Sequence, residues 1–90
     1  MNRDYWDRQT DHWDEDIFDS LREDVRGVIR RAIRAAARRH RAVIDFGCGV
    51  GGYLPVLSRA FDSVHAIDWS ARCVDRARAC AHELPNVTVE

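Results

Sequence analysis

The sequence contains no lysine; all fourteen of its basic residues are arginine, set against fifteen acidic ones. That near balance leaves no whole-chain field to draw it to a polyanion or a membrane surface. Arginine suits phosphate recognition, but no arginine cluster here is interleaved with aromatics as a nucleic-acid platform would be. The missing lysine therefore reads as compositional bias, and nucleic acid is not indicated as a partner. Cysteine is scarce and odd in number, with Cys48, Cys73 and Cys80 forming no CxxC pair. A disulfide framework or a zinc site is not expected from that spacing, and His12, His40, His65 and His82 show no ligand spacing either, so no metal is expected. Reduced thiols fit a cytoplasmic location. The N-terminus is polar and acidic, unlike a signal peptide. No apolar run approaches the ~20 residues that a membrane helix needs, so no membrane partner is expected.

Ninety residues make at most one small domain, and a core of that size is marginal on its own. Residues 1–16 are polar but carry Tyr5, Trp6 and Trp13. A disordered leader rarely holds three large aromatics, so short structure packed on the domain is expected. Ile17, Leu21, Val25, Val28, Ile29, Ala32, Ile33 and Ala36 recur at helical spacing and predict one helix over 17–39. Acidic residues near its start and arginines near its end complement the helix dipole. Gly27 weakens the middle of that helix by about 1 kcal/mol. The arginine run reads as a solvated face.

From Arg41 onward the pattern alternates. Residues 41–46 form a nearly continuous apolar run, which suits a strand buried on both faces. Residues 47–52 are a glycine-rich turn, and 53–61 a short helix in which Pro55 is tolerated in the first turn. A second strand covers 63–67. Ser70 can cap a helix over 71–82, which Pro85 and Asn86 end before a third strand at 87–90. This β-α-β-α-β order implies a parallel sheet with right-handed crossovers, a Rossmann-like α/β/α fold ending after its third strand.

Two features carry chemistry: the run Asp45-Phe46-Gly47-Cys48-Gly49-Val50-Gly51-Gly52, and Asp68 at the end of the second strand. Glycines between a strand and a helix allow unusual backbone angles and close approach of a ligand. Asp68 leaves the neighbouring strand at the same carboxyl edge, where open α/β sheets bind ligands. A carboxylate there can accept hydrogen bonds from a ribose diol. The GxGxxG match of Gly47, Gly49 and Gly52 suits any nucleoside cofactor. Asp45 discriminates, because two like charges at about 4 Å and an effective dielectric of 20 repel by on the order of 4 kcal/mol. A diphosphate over this turn would be opposed, and a ligand bearing an ammonium would be favoured.

The run from Val43 to Gly51 resembles the first motif of class I S-adenosylmethionine (SAM) dependent methyltransferases, an acidic residue followed by Gly-x-Gly-x-Gly. Val64 to Ser70 resembles the second motif of that family. Ala77-Arg78-Ala79 and Asn86-Val87-Thr88-Val89 are similar to its next helix and third strand. The resemblance covers residues 41–90 and implies the first half of a SAM-binding domain, truncated after the third strand, with residues 1–40 as a helical cap. It implies that Gly47, Gly49 and Gly51 line the methionine part of SAM, with Cys48 among them as a small loop residue rather than a nucleophile. It implies that Asp45 holds the ammonium, directly or through water, that Asp68 takes the ribose diol, and that Trp69 packs beside the adenine. The activity implied is methyl transfer to an acceptor, expected to be a small molecule. No catalytic base can be named.

Structural readings stand beside these. Asp45 could stabilise the turn, Asp68 could help cap the next helix, and Trp69 could cover an apolar edge. Tyr5, Trp6 and Trp13 could lie over the cofactor or dock a helix. Two other functions compete. A nicotinamide-dependent oxidoreductase of the same fold would place an apolar residue at position 45. A non-catalytic, methyltransferase-like binding protein would not need intact cofactor motifs.

Overall fold

The computed structural model describes residues 3–10 and 24–90. Its elements are α1 (Arg3–Gln9), α2 (Val28–Ala37), β1 (Ala42–Phe46), α3 (Leu54–Ala60), β2 (Ser63–Ile67), α4 (Ala71–Cys80), a 3₁₀ turn (Ala81–Glu83) and β3 (Val87–Val89). The strands form one parallel sheet in the order β1-β2-β3. The expected Rossmann-like βαβαβ arrangement is therefore present.

The register pairs Val43 with Val64 and Asp45 with Ala66, and it pairs Val64 and Ala66 with Val87 and Val89. Because strand side chains alternate between faces, these residues share one side of the sheet. Leu54 and Leu57 of α3, Phe61 after it, and Ala77 of α4 bury against that side, with Ile33 and Ala37 of α2 packed at the edge of the cluster. Burying each large apolar side chain contributes roughly 1.5–3 kcal/mol, so α3 holds much of the core. Two right-handed crossovers running the same way put both of their helices on one face.

That one-sided packing corrects the expectation that β1 is buried on both faces. Ile44 is 63% and Phe46 85% exposed on the opposite side of the sheet. The apolar character of 42–46 describes the strand, but no element among the described residues covers its second face.

The single helix expected over 17–39 is also corrected. Residues 17–23 lie outside the described residues, as does Trp13. Gly27 takes φ +69°, and the helix starts at Val28 rather than passing through. Two amides of its first turn, those of Ile29 and Arg30, donate to the Asp24 carboxylate at 3.1 and 3.2 Å. This side-chain cap stops the helix from continuing backward. Val25, placed in the apolar stripe by its spacing, is 96% exposed.

The later boundaries agree closely with expectation. Ser70 caps α4, its hydroxyl oxygen accepting from Cys73 N at 3.2 Å. Asn86 does more than stop a helix. Its Nδ2 donates to the carbonyls of Ser58 and Phe61, both at 2.9 Å, and its Oδ1 accepts from the Ser58 hydroxyl at 2.6 Å. The end of α3 is thereby tied to the start of β3.

Candidate cofactor site

The carboxyl ends of β1 and β2 open into a cavity of about 620 Å³, lined by Trp6, Phe46, Gly47, Gly49, Ile67, Asp68, Trp69 and Cys73. Its floor is the glycine loop. Gly47, Gly49 and Gly51 adopt φ of +77°, +58° and +89°, a region that side chains rarely tolerate. Gly52 does not, so the backbone follows the Gly-x-Gly-x-Gly spacing and not the alternative GxGxxG match. Gly47 and Gly51 serve different ends. A Cβ at Gly47 would meet nothing within 4 Å, whereas one at Gly51 would lie 3.2 Å from Ala77 Cα. Gly47 keeps the loop surface open, and Gly51 lets α4 pack beneath the loop.

Four of the loop's amides are consumed within the protein. Gly47 N and Cys48 N both donate to the Ile67 carbonyl, at 2.7 and 2.9 Å. Gly49 N donates to Asp68 Oδ2 at 2.8 Å, and Gly51 N to the Cys48 carbonyl at 3.1 Å. The other Asp68 oxygen accepts from Ser70 N at 2.9 Å. Asp68 thus joins the glycine loop to the start of α4 while forming part of the cavity wall. Helix capping as such falls to Ser70.

Of the residues singled out from sequence, Gly47, Gly49, Asp68 and Trp69 meet at this cavity, and Asp45, Cys48 and Gly51 are not among its lining residues. Trp69 is 64% exposed, with the Arg3 guanidinium 5.6 Å from its ring centroid. Asp45 sits behind the loop, where its Oδ2 is buried without a hydrogen-bond partner. Burial, and then the negative charge of Asp68, push its carboxyl above the ordinary value of 3.8. The same causes, burial first and then Asp68 and Asp45, push the Cys48 thiol up to about 12. Cys48 is therefore a protonated thiol at neutral pH, and its nucleophilicity is suppressed. A further anion laid here would meet two carboxylates, with the amides of Gly47, Cys48 and Gly49 already engaged.

Phe46, Ile67 and Cys73 line the cavity without having been singled out as site residues. Each lies within a few residues of one that was, Phe46 before Gly47, Ile67 before Asp68, and Cys73 in the turn after Ser70. Of the two roles left open for Trp6, the structure places it in the cavity wall, an outcome that depends on how α1 docks. Among the described residues no group of three His, Cys, Asp or Glu could hold a metal ion, and no helix is long and apolar enough to cross a membrane.

A parallel sheet, a glycine loop at its carboxyl edge and an acidic residue closing the neighbouring strand define a Rossmann-like cofactor-binding domain. A methyltransferase domain family model matches residues 20–89. The chain belongs to that methyltransferase family. Among curated proteins none matches it. Among solved structures it is similar to DhpI in a complex with SAH, with 25% identity and a TM-score of 0.75, over 97% of this chain and 41% of that one. A DhpI–SAM–HEP complex matches equally well, over 39% of its chain. The magnesium protoporphyrin IX methyltransferase ChlM of Synechocystis PCC 6803, with bound SAM, shares the fold at 24% identity and a TM-score of 0.65, over 98% of this chain and 50% of that one. The chain spans about two-fifths of the DhpI chain.

Proposed function

We propose that the protein binds S-adenosylmethionine in this cavity and transfers its methyl group to a small-molecule acceptor. The observation that carries this reading is the state of the glycine loop. Its Gly47, Cys48 and Gly49 amides already donate to Ile67 and Asp68, so they are not aimed at an incoming diphosphate. Behind the loop lies the carboxylate of Asp45 with an unpartnered oxygen. Such an edge repels a phosphate and favours a cation. The nicotinamide reading needs the reverse, with free amides and an apolar residue at position 45.

The residues fit the cofactor part by part. Gly47, with no atom near its missing Cβ, leaves room for the methionine portion against the main chain. Asp45 acts on the ammonium by its charge from behind the loop, Cys48 and Gly51 shaping the loop between them. Asp68 retains lone pairs beyond those taken by Gly49 and Ser70, and these accept from the ribose hydroxyls. Trp69 and Ile67 supply apolar surface for the adenine. When bound, the cofactor supplies an activated methyl group on a sulfonium, and the protein's contribution is alignment and exclusion of water. The similarity to SAM- and SAH-bound methyltransferases supports this assignment. The small-molecule acceptor is in keeping with the likeness to the DhpI–SAM–HEP complex.

The test is calorimetric titration of the full-length protein with SAM and with NAD. Asp68→Asn removes the charge of the wall and, because its amide nitrogen cannot accept, one of the two backbone hydrogen bonds from Gly49 and Ser70. It should weaken SAM by roughly 2–3 kcal/mol, the worth of hydrogen bonds to a charged group. Unchanged SAM affinity in that variant removes Asp68 from the site, and NAD binding tighter than SAM overturns the cofactor assignment.

A further inference from the structure

The helix α1 is attached to α4 by polar contacts that the core does not require. The Ser70 hydroxyl donates to the Asp7 carboxylate. The buried Thr10 hydroxyl lies 3.2 Å from the Cys73 thiol and donates to the Trp6 carbonyl at 2.9 Å. Arg76 Nη1 donates to the Thr10 carbonyl at 2.6 Å. All three points of attachment on α4 fall in its cap and first turns, beside Asp68 and Trp69. No residue of α1 is itself fully buried, Tyr5 and Trp6 being half-buried, so its docking draws on these polar contacts as well as on packing. Trp6, one residue before Asp7, forms part of the cavity wall together with Trp69 and Cys73.

We propose that Asp7, Thr10 and Arg76 act as a clamp that positions Trp6 over the cofactor cavity, making α1 a determinant of cofactor affinity. This rests on the cavity being the SAM site. The physical reason is that each of these hydrogen bonds contributes only about 0.5–3 kcal/mol net, so α1 stays docked only while several act together. Only the docked state presents the Trp6 ring to the ligand. An indole face is the aromatic surface that best attracts a cation, and it also offers apolar area to a purine. Apparent affinity then scales with the docked fraction, since the dissociation constant rises as the competent population falls. The clamp sits at the same helix cap that Asp68 fixes through Ser70 N, so the cofactor wall and the docking point of α1 share one residue.

The experiment uses the full-length protein with its tryptophans intact. SAM binding is measured by calorimetry, together with the change in tryptophan emission on binding, in that protein and in its Asp7→Ala, Asp7→Asn and Thr10→Val derivatives. Asp7→Ala and Thr10→Val should weaken SAM by about tenfold, as a docked population of about one-tenth requires. They should also blunt the emission response. Asp7→Asn, which keeps an acceptor for Ser70, should restore both. Hydrogen exchange of residues 3–10 in the unsubstituted protein gives a check that needs no variant, with SAM expected to slow it. Normal SAM affinity in Asp7→Ala and Thr10→Val, or exchange of residues 3–10 indifferent to SAM, overturns the clamp and leaves the cofactor assignment standing. No SAM binding by the unsubstituted protein overturns both.

Discussion

Asp45 carries opposed demands. Its carboxyl is desolvated and faces Asp68, which pushes its pKa above 3.8, and its Oδ2 has no partner. As pH climbs past 3.8 the unfolded chain releases this proton before the folded one does. Folding is therefore disfavoured progressively until the folded carboxyl has also titrated, and the full cost is present at neutral pH. Asp45→Asn escapes that cost. At pH 7 and without cofactor, the variant should be more stable by at most roughly 1 kcal/mol, because it sheds the buried charge that faces Asp68 but leaves an amide equally without a partner. The gain should vanish below pH 3.8. Urea melts at the two pH values measure it, and a variant less stable than the parent at pH 7 contradicts the argument. The same change should weaken SAM more than NAD, so the residue trades stability for recognition.

Gly51 presents a simpler case at the same scale. Its φ of +89° strains any side chain, and a Cβ there would stand 3.0 Å from Leu54 Cδ1 and 3.2 Å from Ala77 Cα. Backbone strain and overpacking add, so Gly51→Ala should cost about 3 kcal/mol. Gly52 has ordinary φ and open space, and Gly52→Ala should stay within about 0.5 kcal/mol. Chemical denaturation of the pair separates a packing glycine from a neutral one.

At the scale of elements, the fold depends on ties between segments distant in sequence. Asn86 is the clearest, reaching from the start of β3 to two carbonyls at the end of α3. Asn86→Ala leaves those carbonyls and the Ser58 hydroxyl without their partner, and should cost about 2 kcal/mol. The denaturation midpoint should fall without a change in slope, since the folded surface is unchanged. Its position just before a strand marked it as a turn residue, which is all that local chemistry can say. Its partners lie 25 and 28 residues away. The α2 boundary errs for a related reason. Periodicity scores which side chains could share a face, but the Asp24 carboxylate and the left-handed Gly27 decide where the backbone turns.

On the scale of the whole molecule, the described residues cover the sheet on one side only. Ile44 and Phe46 are exposed on the other, and among the described residues β1 stands at the sheet's edge with one side unpaired. His65 crosses the same open face, its ring nitrogens 2.7 Å from Thr88 Oγ1 and 2.8 Å from Glu90 Oε1. An apolar face beside a free strand edge favours self-association. The 90-residue chain by itself should therefore associate with rising concentration, and Ile44→Lys should reduce that association. Sedimentation of the two forms measures it, and identical concentration dependence would refute the role of this face.

The order of strands and helices, the glycine loop and the acidic end of β2 were legible in the sequence, because each follows from local physics. Short apolar runs, glycines that take positive φ and a serine at a helix start act over a few residues. The tertiary structure alone decided which face of the sheet is covered, that Asp45 lies behind the loop instead of in the cavity wall, and that Trp6 joins that wall. Those outcomes depend on contacts between segments far apart in the chain, and no spacing within either segment encodes them.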